Sequence, residues 1–228
     1  MNREIIITSD GSHTISIPDL NSTYHSKHGA MVESQHVFIE SGLKYFIKTN
    51  TWNKNNTINI FEFGFGTGLN ALLTMKEAEG IQLSIYYETI EPFPLTPPEY
   101  TVLNYCRQLQ LPTLTPAFEQ LHLSTWENEI KIAPNFTFRK SMNEFLQHST
   151  NHSFHLVYFD AFAPTVQPEL WTTAIFKKLF QMMEPGGLLL TYCSKSAVRK
   201  SMTEAGFTVH KIQGPPHKRE MVRALKNI

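Results

Sequence analysis

Hydrophobic positions change their spacing at about residue 58, and the change divides the chain into two parts. Beyond it, short apolar runs alternate with amphipathic segments. The apolar runs, which predict strands, are INIFEF, LSIYYETI, NFTFR, FHLVYFDAF and GLLLTYC. The amphipathic segments, which predict helices, are LLTMKEAE, PPEYTVLNYCRQL, SMNEFLQH, PELWTTAIFKKLFQMM and SAVRKSMTEAG. Because strands that alternate with helices form βαβ units, this pattern predicts a parallel sheet covered on both faces.

Both ends of the chain depart from this alternation. Near the end, FTVHKI and REMVRAL are joined by a Pro-Pro loop without a helix, which predicts an antiparallel pair. Near the start, two β-rich runs flank Asp10-Gly11, a pair that tolerates positive φ and predicts a hairpin. A helix is predicted from about Ala30. The positions that recur there at helical spacing are Val32, His36, Ile39, Leu43 and Phe46 or Ile47.

These elements predict an α/β fold with a Rossmann-like, mostly parallel sheet that ends in an antiparallel strand. Residues 1–50 are predicted to form an N-terminal extension, a β-hairpin and a helix, packed on the core. Residues 51–228 are predicted to form the main domain. Within it, the segment at about 107–134 is too long for a plain connection and is predicted to be an insertion with short helices.

Composition narrows the classes of function. A chain of 228 residues that is 41% hydrophobic can bury one core and an extension. Twenty Lys and Arg balance twenty Asp and Glu, so any nucleic acid must be bound by a local basic patch. The sequence has no long apolar run and no signal-peptide core, which predicts a cytoplasmic protein without a membrane partner. Cys106 and Cys193 fit no metal or disulfide pattern and are predicted to be reduced and buried.

The clearest chemical signal is EFGFGTGLN, which joins a predicted strand to a predicted helix. Its glycines follow a G-x-G-x-G spacing, whereas the dinucleotide fingerprint G-x-G-x-x-G would require glycine in place of Leu69. The loop therefore disfavours a pyrophosphate and favours close backbone approach to the amino-acid and ribose parts of S-adenosylmethionine (SAM). Glu62 would face the ligand's ammonium or an ordered water. The alternative is a tight turn that serves the local backbone alone.

Further carboxylates follow the next predicted strands. YYETIEPFP contains Glu88 and Glu91, about 20 residues beyond the glycine loop, where a carboxylate can accept both ribose hydroxyl hydrogens. Asp160 ends the run VYF at the edge where open α/β sheets bind ligands, and it can orient a nucleophile or accept its proton. Phe162 and Pro164 can frame an aromatic slot beside it. Each of these residues also has a structural alternative. Glu88 and Glu91 could form a solvated acidic turn, Asp160 could cap a turn, and Phe162 could pack in the core.

Several motifs together resemble one family. They are EFGFGTGLN, IEPFPLT, FDAFAPTVQPELWT, PGGLLLTYCSKSAVRKSMTEAGF and GPPHKREM, together with YHSKHGAMVESQHVF near the start. They resemble the methyltransferase domain of the bifunctional bacterial enzyme that completes 5-methylaminomethyl-2-thiouridine at the tRNA wobble position. The resemblance covers the chain from about Tyr24 to Arg223. It implies a class I SAM-dependent methyltransferase fold and methyl transfer to the primary amine of 5-aminomethyl-2-thiouridine.

The bifunctional enzyme also carries a large flavin-dependent oxidase domain, for which 228 residues leave no room. We therefore expect a stand-alone methyltransferase. Its substrate would come from a separate FAD-dependent oxidase that acts upstream.

The resemblance also implies site residues. It places Glu91, rather than Glu88, at the ribose and makes Asp160 the catalytic residue at the amine. Because the family usually has Gly-Asp where this chain has Lys140-Ser141, the adenine contacts are expected from Ser141 and Met142. The residues expected to bind SAM are Glu62, Gly64, Phe65, Gly66, Thr67, Gly68, Asn70, Glu91, Ser141, Met142 and Asp160. Those expected to contact the tRNA substrate are Tyr24, Phe162, Pro164, Lys195, Arg199, Lys218 and Arg219.

Among the basic residues, Lys218 and Arg219 are expected to contact phosphates near the anticodon, which predicts a salt-dependent affinity. A metal site is not expected. The histidines at 25, 28 and 36, with Glu33, would not share one helical face, and the resemblance calls for no metal.

Two other classes of function stay open at this point. A small-molecule N-methyltransferase or a polyamine aminopropyltransferase would use the same fold. An aminopropyltransferase would carry several acidic residues along the polyamine path, whereas none follows Asp160 until Glu169. A non-catalytic RNA-binding protein would keep the fold without turnover. The intact glycines and the carboxylates at 62, 91 and 160 argue against that reading.

Overall fold

The computed structural model describes residues 2–50, 52 and 56–227. Residue 51, at which the second predicted domain begins, lies outside these residues, as does residue 228. The strands are β1 (Glu4–Ile7), β2 (His13–Ile17), β3 (Ser22–Thr23), β4 (Ile58–Phe63), β5 (Ile85–Ile90), β6 (Ile130–Ala133), β7 (Phe136–Ser141), β8 (Phe154–Phe159), β9 (Met183–Thr191), β10 (Thr208–Gln213) and β11 (Glu220–Leu225). The α-helices are α1 (Ala30–Ser34), α2 (Tyr45–Thr49), α3 (Leu69–Ile81), α4 (Pro97–Tyr100), α5 (Tyr105–Gln108), α6 (Thr115–Leu123), α7 (Thr173–Met182) and α8 (Ser196–Glu204).

Within the described residues, the large sheet has eight strands in the order β10-β11-β9-β8-β4-β5-β7-β6. Its central neighbours, from β9 to β7, pair in parallel, as the alternation of strands and helices predicted. β11 runs antiparallel to β9 and to β10, which confirms the predicted closing pair. Since β9 and β10 are both antiparallel to β11, they run in the same direction. The loop that follows β10 therefore lies at the carboxyl edge of the parallel strands.

The N-terminal extension contains the predicted hairpin and helix, but the helix differs in detail. β1 and β2 pair antiparallel around Gly11, which has φ 82°. The helix runs through α1, a π-helical segment (Gln35–Lys44) and α2. A π-helix holds more residues per turn than an α-helix, so regular helical spacing predicts its buried positions only in part. Ile39, Leu43 and Phe46 are buried as predicted. Val32, predicted to face the core, is 41% exposed, and His36 is half-buried. The buried residues of the π-helical segment are Val37, Phe38, Ile39, Gly42 and Leu43.

The extension and one face of the sheet share a single hydrophobic core. The Phe38 ring lies 4.9 Å from that of Tyr158 on β8, and a Cβ at Gly42 would lie 3.3 Å from Leu190 on β9. The opposite face is covered by α7 and α8, with Phe176 and Met202 fully buried. The sheet is thus covered on both faces, and its carboxyl edge meets the segment that enters α1.

Two amphipathic segments form less helix than their pattern predicted. SMNEFLQH contains only a 3₁₀ turn (Phe145–Gln147), and PPEYTVLNYCRQL forms the one-turn helices α4 and α5. The predicted insertion contains a 3₁₀ turn (Pro112–Leu114), α6 and the edge strand β6, which pairs antiparallel with β7. Cys106 and Cys193 are buried free thiols, as predicted.

Candidate active site

The three glycines between β4 and α3 adopt backbone angles that favour glycine. Gly64, Gly66 and Gly68 have φ of 91°, 51° and 75°. A Cβ at Gly66 would lie 2.9 Å from Cδ1 of Tyr24, and one at Gly64 would lie 3.3 Å from the carbonyl oxygen of Asp160. Both the angles and the close neighbours exclude larger residues. The loop is therefore a bare backbone surface between Tyr24 and the end of β8.

Asn70, in the first turn of α3, connects two carboxylates across this loop. Its Nδ2 donates to Oε1 of Glu62 at 3.0 Å and to Oδ2 of Asp160 at 2.8 Å. Glu62 is fully buried at the end of β4, and burial raises its pKa well above the usual range. Burial also raises the pKa of Asp160 to about 7, against the effect of the Asn70 hydrogen bond. Asp160 is thus poised to exchange a proton near neutral pH.

Glu91 holds the glycine loop from the next strand. Its Oε2 accepts the Gly66 N–H at 2.8 Å and its Oε1 accepts the Phe93 N–H at 2.8 Å. The Glu91 N–H in turn donates to the carbonyl oxygen of Ser141 at 2.9 Å, so the ends of β5 and β7 are tied together. Glu91 is 7% exposed, and burial raises its pKa.

Glu88 has a different environment, although it lies only three residues earlier. Its fully buried carboxylate accepts hydrogen bonds from the hydroxyls of Tyr86 and Thr150, both at 2.8 Å, and forms an ion pair with Arg139. Its partners are all protein groups away from the glycine loop. Of the two carboxylates, Glu91 contacts the glycine loop and Glu88 does not.

Aromatic rings form a second wall beside Asp160. Tyr24 and Phe162 meet edge to face, with ring centroids 5.1 Å apart. Tyr192, which follows β9, donates its hydroxyl hydrogen to the carbonyl oxygen of Ala161 at 2.9 Å. Phe162 and Pro164 remain partly exposed, as a slot for a planar substrate requires.

Lys218 points toward this wall, and the sequence-based prediction of a phosphate contact did not anticipate that. Its Nζ lies 4.3 Å from the centroid of the Tyr192 ring and bonds to Oε1 of Glu33. The neighbouring Arg219 is exposed. Lys195 is also exposed, whereas Arg199 donates to Ser194 and Ser196 within its own turn.

Some predicted SAM-binding residues turn their side chains away from the loop. Phe65 is buried against Phe138, and the Thr67 hydroxyl is hydrogen-bonded to Nε2 of His25 at 2.8 Å. These two residues present only their backbone to a ligand at the loop. Ser141 is fully buried, while Met142 is 48% exposed beyond the end of β7.

Lys140, between these strand-end residues and the rest of β7, faces α6. Its Nζ donates to the carbonyl oxygen of His122 and lies 4.4 Å from the centroid of the Trp126 ring. Burial lowers the pKa of Lys140 to about 8. The basic side chain that replaces the family's usual Gly-Asp is therefore directed away from Ser141.

Three residues at the site were missed by sequence reasoning. His122, from the insertion, lies behind the loop, where a Cβ at Gly68 would come 3.0 Å from its Nε2. Glu33 was considered only as part of a histidine cluster, and Tyr192 carried no signal. The members of that cluster have separate partners: His28 stacks on His217 at 4.4 Å, and His36 contacts the Gln213 carbonyl at 3.0 Å. Among the described residues, no group of three or more such side chains could hold a metal ion.

Comparison with known proteins identifies the family to which the chain belongs. The family model for S-adenosyl-L-methionine-dependent methyltransferases matches residues 108–227, slightly more than half of the chain. The chain belongs to this family. SAM is therefore the cofactor of the methyltransferase, and transfer of its methyl group is the reaction. The match starts beyond the glycine loop, so the loop geometry supports this assignment independently.

Curated relatives cover nearly the whole methyltransferase. Proteins named "tRNA 5-methylaminomethyl-2-thiouridine biosynthesis bifunctional protein MnmC" from Burkholderia mallei and Burkholderia pseudomallei are 27% identical over 96% of this chain. The alignment includes 34% of each relative, so the chain spans about a third of the length of the curated relatives it matches.

Among solved structures, MnmC2 from Aquifex aeolicus has the same fold. Its TM-score is 0.78 at 23% identity, and the match covers 98% of this chain and 69% of that one. The methyltransferase domain of a citrinin polyketide synthase matches with a TM-score of 0.51 at 13% identity, over 82% of this chain and 52% of that one. These likenesses confirm the fold class predicted from the sequence.

Two clefts in the surface lie away from the candidate active site. A cleft of about 450 Å³ opens near Gly186 in the first half of β9, and one of about 420 Å³ opens near Asn135, just before β7. They therefore lie at the edge opposite the glycine loop.

In the described part of the methyltransferase, none of the helices combines the length and the apolar character needed to cross a membrane.

Proposed function

We propose that this methyltransferase transfers a methyl group from SAM to the primary amine of 5-aminomethyl-2-thiouridine at the wobble position of tRNA. Two findings support the proposal: the names of the relatives that align with 96% of the chain, and the Asp160 environment. The chemical part of the proposal depends on the Asp160 carboxylate. Asn70 holds it beside the bare loop, and burial raises its pKa to about 7.

The site fits SAM on grounds independent of the relatives. Oδ1 of Asn70 is buried and lacks a hydrogen-bond partner among the described residues. Unsatisfied buried acceptors are rare, and this one, next to the buried carboxylate of Glu62, would accept a hydrogen bond from the ammonium of the cofactor's amino-acid part. Glu91 would accept the ribose hydroxyl hydrogens, and Ser141 and Met142 would flank the adenine. When bound, SAM supplies a methyl group on a positively charged sulfur.

The residues of the chain then have two tasks. The first is to align the amine with the methyl group, because an in-line displacement depends mainly on near-attack geometry. Tyr24 and Phe162 would hold the planar base, and Asp160 would orient the amine by hydrogen bonding. The second task is to hold the amine neutral, since an ammonium has no lone pair. Asp160, with a pKa raised to about 7, can accept or relay the proton of the amine.

Binding of tRNA would use the exposed positive charges at the carboxyl edge. Lys195 follows β9 and Arg219 lies in the loop after β10, and both are exposed. Lys218 is engaged by Glu33, and Arg199 is engaged within its own turn, so we assign the phosphate contacts to Lys195 and Arg219. The chain as a whole is neutral, which makes these local charges decisive for the encounter.

The double substitution Lys195→Ala and Arg219→Ala is expected to weaken tRNA binding and to flatten its salt dependence. Each lost phosphate contact should lower the slope of log K against log salt concentration by about 1. The measurement is a titration of labelled tRNA at several salt concentrations. Lys131→Ala, at an exposed lysine of β6 on the far end of the sheet, is the matched control. An unchanged slope in the double variant would refute the assignment.

The substrate is tested by mass spectrometry of nucleosides from tRNA that carries 5-aminomethyl-2-thiouridine, after incubation with the chain and SAM. A gain of one methyl group on that nucleoside supports the proposal. No gain, together with normal SAM binding in calorimetry, contradicts the substrate. It would then favour a small-molecule amine as the methyl acceptor, an alternative that the sequence left open.

The proposal assigns the preceding step to an FAD-dependent oxidase activity outside these 228 residues. tRNA that still carries the carboxymethyl group on the amine should remain unmethylated with this chain and SAM alone. Addition of a flavin-dependent oxidase that exposes the amine should restore methylation. Methylation without the oxidase would overturn this order of steps.

A further inference from the structure

Two segments that are far apart in the sequence meet over the carboxyl edge of the sheet. One is the segment that enters α1, and the other is the loop between β10 and β11. The His28 and His217 rings stack at 4.4 Å, and Nε2 of His36 contacts the Gln213 carbonyl oxygen at 3.0 Å. The ionic contact between the segments is that of Lys218 with Glu33. Because the loop follows a strand that runs parallel to β9, this contact lies at the carboxyl edge of the sheet, where β8 ends at Asp160.

Glu33 is fixed by the protein and is not a surface carboxylate that meets a lysine by chance. It is 9% exposed, and its Oε2 accepts the Ser26 N–H at 2.9 Å. Its other oxygen accepts Lys218. One carboxylate thus holds the backbone before α1 and the ammonium from the closing hairpin at once.

Lys218 is also fixed, and its position relates it to Asp160. Its Nζ lies over the Tyr192 ring at 4.3 Å, in the geometry of a cation–π contact. The hydroxyl of that same tyrosine donates a hydrogen bond to the carbonyl oxygen of Ala161, the residue after Asp160. Both charges of the pair act on the Asp160 carboxylate: Glu33 disfavours its ionised form and Lys218 favours it.

We propose that Lys218 and Glu33 form a positioning pair for Asp160, which acts on the carboxylate that receives the substrate amine through the two opposite charges and through the contact of Lys218 with Tyr192. The role of Asp160 in this statement rests on the proposed function. Lys218 acts here through its charge on Asp160 and through the wall formed by Tyr192, and not through a phosphate of the tRNA.

The other groups that face Asp160 define what the pair must offset. Glu62 lies across Asn70, and the ionisable hydroxyls of Tyr87 and Tyr192 lie on β5 and after β9. None of these carries a positive charge. If Lys218 loses its charge, the negative charge of Glu33 is left unbalanced, and Asp160 holds its proton to higher pH. If Glu33 loses its charge, Lys218 alone acts on Asp160, which then ionises at lower pH.

The aspartates allow a direct test, because the chain contains only Asp10, Asp19 and Asp160. Labelling of their carboxyl carbons with ¹³C gives three resonances to follow by NMR as the pH is changed, and Asp160→Asn assigns the relevant one. The wild-type midpoint is expected at about 7. Lys218→Met should raise it by about 0.5 to 1 unit, and Glu33→Gln should lower it, as the removal of one neighbouring charge requires.

Two further variants separate charge from packing. Lys218→Arg keeps the charge and should keep the wild-type midpoint, while the double variant Lys218→Met with Glu33→Gln should return the midpoint toward wild type. Opposite shifts in the two single variants are not expected from a contact that only holds the two segments together. If Lys218→Met does not fold, the downward shift in Glu33→Gln still decides the outcome.

An unchanged Asp160 midpoint in the folded variants would overturn the proposal. So would a loss in Lys218→Met of about 1 in the salt slope of tRNA binding with the midpoint unchanged, because that pattern marks a phosphate contact. The titration needs no substrate, so it is decided even if the nucleoside assay rejects the proposed tRNA. If both succeed, the acid limb of kcat/KM should move with the NMR midpoint in each variant.

Discussion

Asp160→Ala is expected to lower the turnover of methyl transfer by about 10²- to 10⁴-fold, the range typical for loss of a positioned acid–base group. The affinity for SAM should change far less, because Glu62, Glu91 and the glycine loop retain their own hydrogen bonds. Single-turnover transfer to tRNA measures the first quantity, and calorimetry with SAM measures the second. Asp19→Ala, at an exposed aspartate, makes the same chemical change away from the site and is the control.

The comparison with Asp160→Asn distinguishes the two roles that the sequence left open. Asparagine keeps an oxygen that can accept from Asn70 and from the amine, but it cannot take up a proton. If Asp160 only orients the amine, the asparagine variant should retain much more activity than the alanine variant. If Asp160 accepts the proton, both should be equally poor. Wild-type turnover in the alanine variant would remove Asp160 from the catalytic residues.

Glu91→Gln is expected to weaken SAM binding by about 10- to 100-fold, which corresponds to about 1.5 to 3 kcal/mol for lost hydrogen bonds to a charged group. Both carboxylate oxygens of Glu91 accept backbone N–H groups at 2.8 Å, and a glutamine would direct its own donor at one of them. The substitution therefore perturbs the loop at Gly66 as well as the expected ribose contact. Calorimetric titration with SAM measures the change in affinity.

Glu88→Gln is the matched control for this prediction, because it makes the same change three residues earlier in the chain. Glu88 is bonded to Tyr86, Thr150 and Arg139, so its substitution should destabilise the fold by about 1 to 3 kcal/mol. Chemical denaturation measures that loss, and the SAM affinity of the folded variant should stay near wild type. The opposite pattern, in which Glu88→Gln loses SAM affinity and Glu91→Gln does not, would assign the ribose to Glu88.

Much of the fold follows from local patterns. The apolar runs mark β4, β5, β7, β8 and β9 because a strand covered on both faces is apolar at nearly every position. The Pro-Pro loop predicts the antiparallel closure because a connection that short cannot cross over the sheet. The helix of the extension shows the limit of such patterns. Ile39 and Leu43 are buried as the spacing predicted, but Val32 is exposed and His36 is half-buried, since the spacing assumes a regular α-helix and the segment after α1 is π-helical.

The sequence likewise predicts some residues of the candidate site and misses others. Carboxylates at strand ends converge because parallel strands share one edge, so the sequence alone groups Glu62, Glu91 and Asp160. The choice of Glu91 over Glu88 came from a motif and stays a prediction, and the structure shows that Glu91 contacts the glycine loop while Glu88 is bonded elsewhere. The basic residues were harder to sort. Charge in a sequence does not report whether a lysine faces solvent or a buried carboxylate.

By itself, the sequence determined the alternation of elements, the bare loop and the carboxylates at the strand ends. These depend on neighbours within a few residues of the chain, on backbone angles and on the common direction of the strands. Only the tertiary structure decided which side chains from distant segments complete the site. Lys218 and Glu33 are 185 residues apart, and His122 reaches the loop from an insertion. Such contacts depend on how packed elements orient in space, which spacing along the chain does not encode.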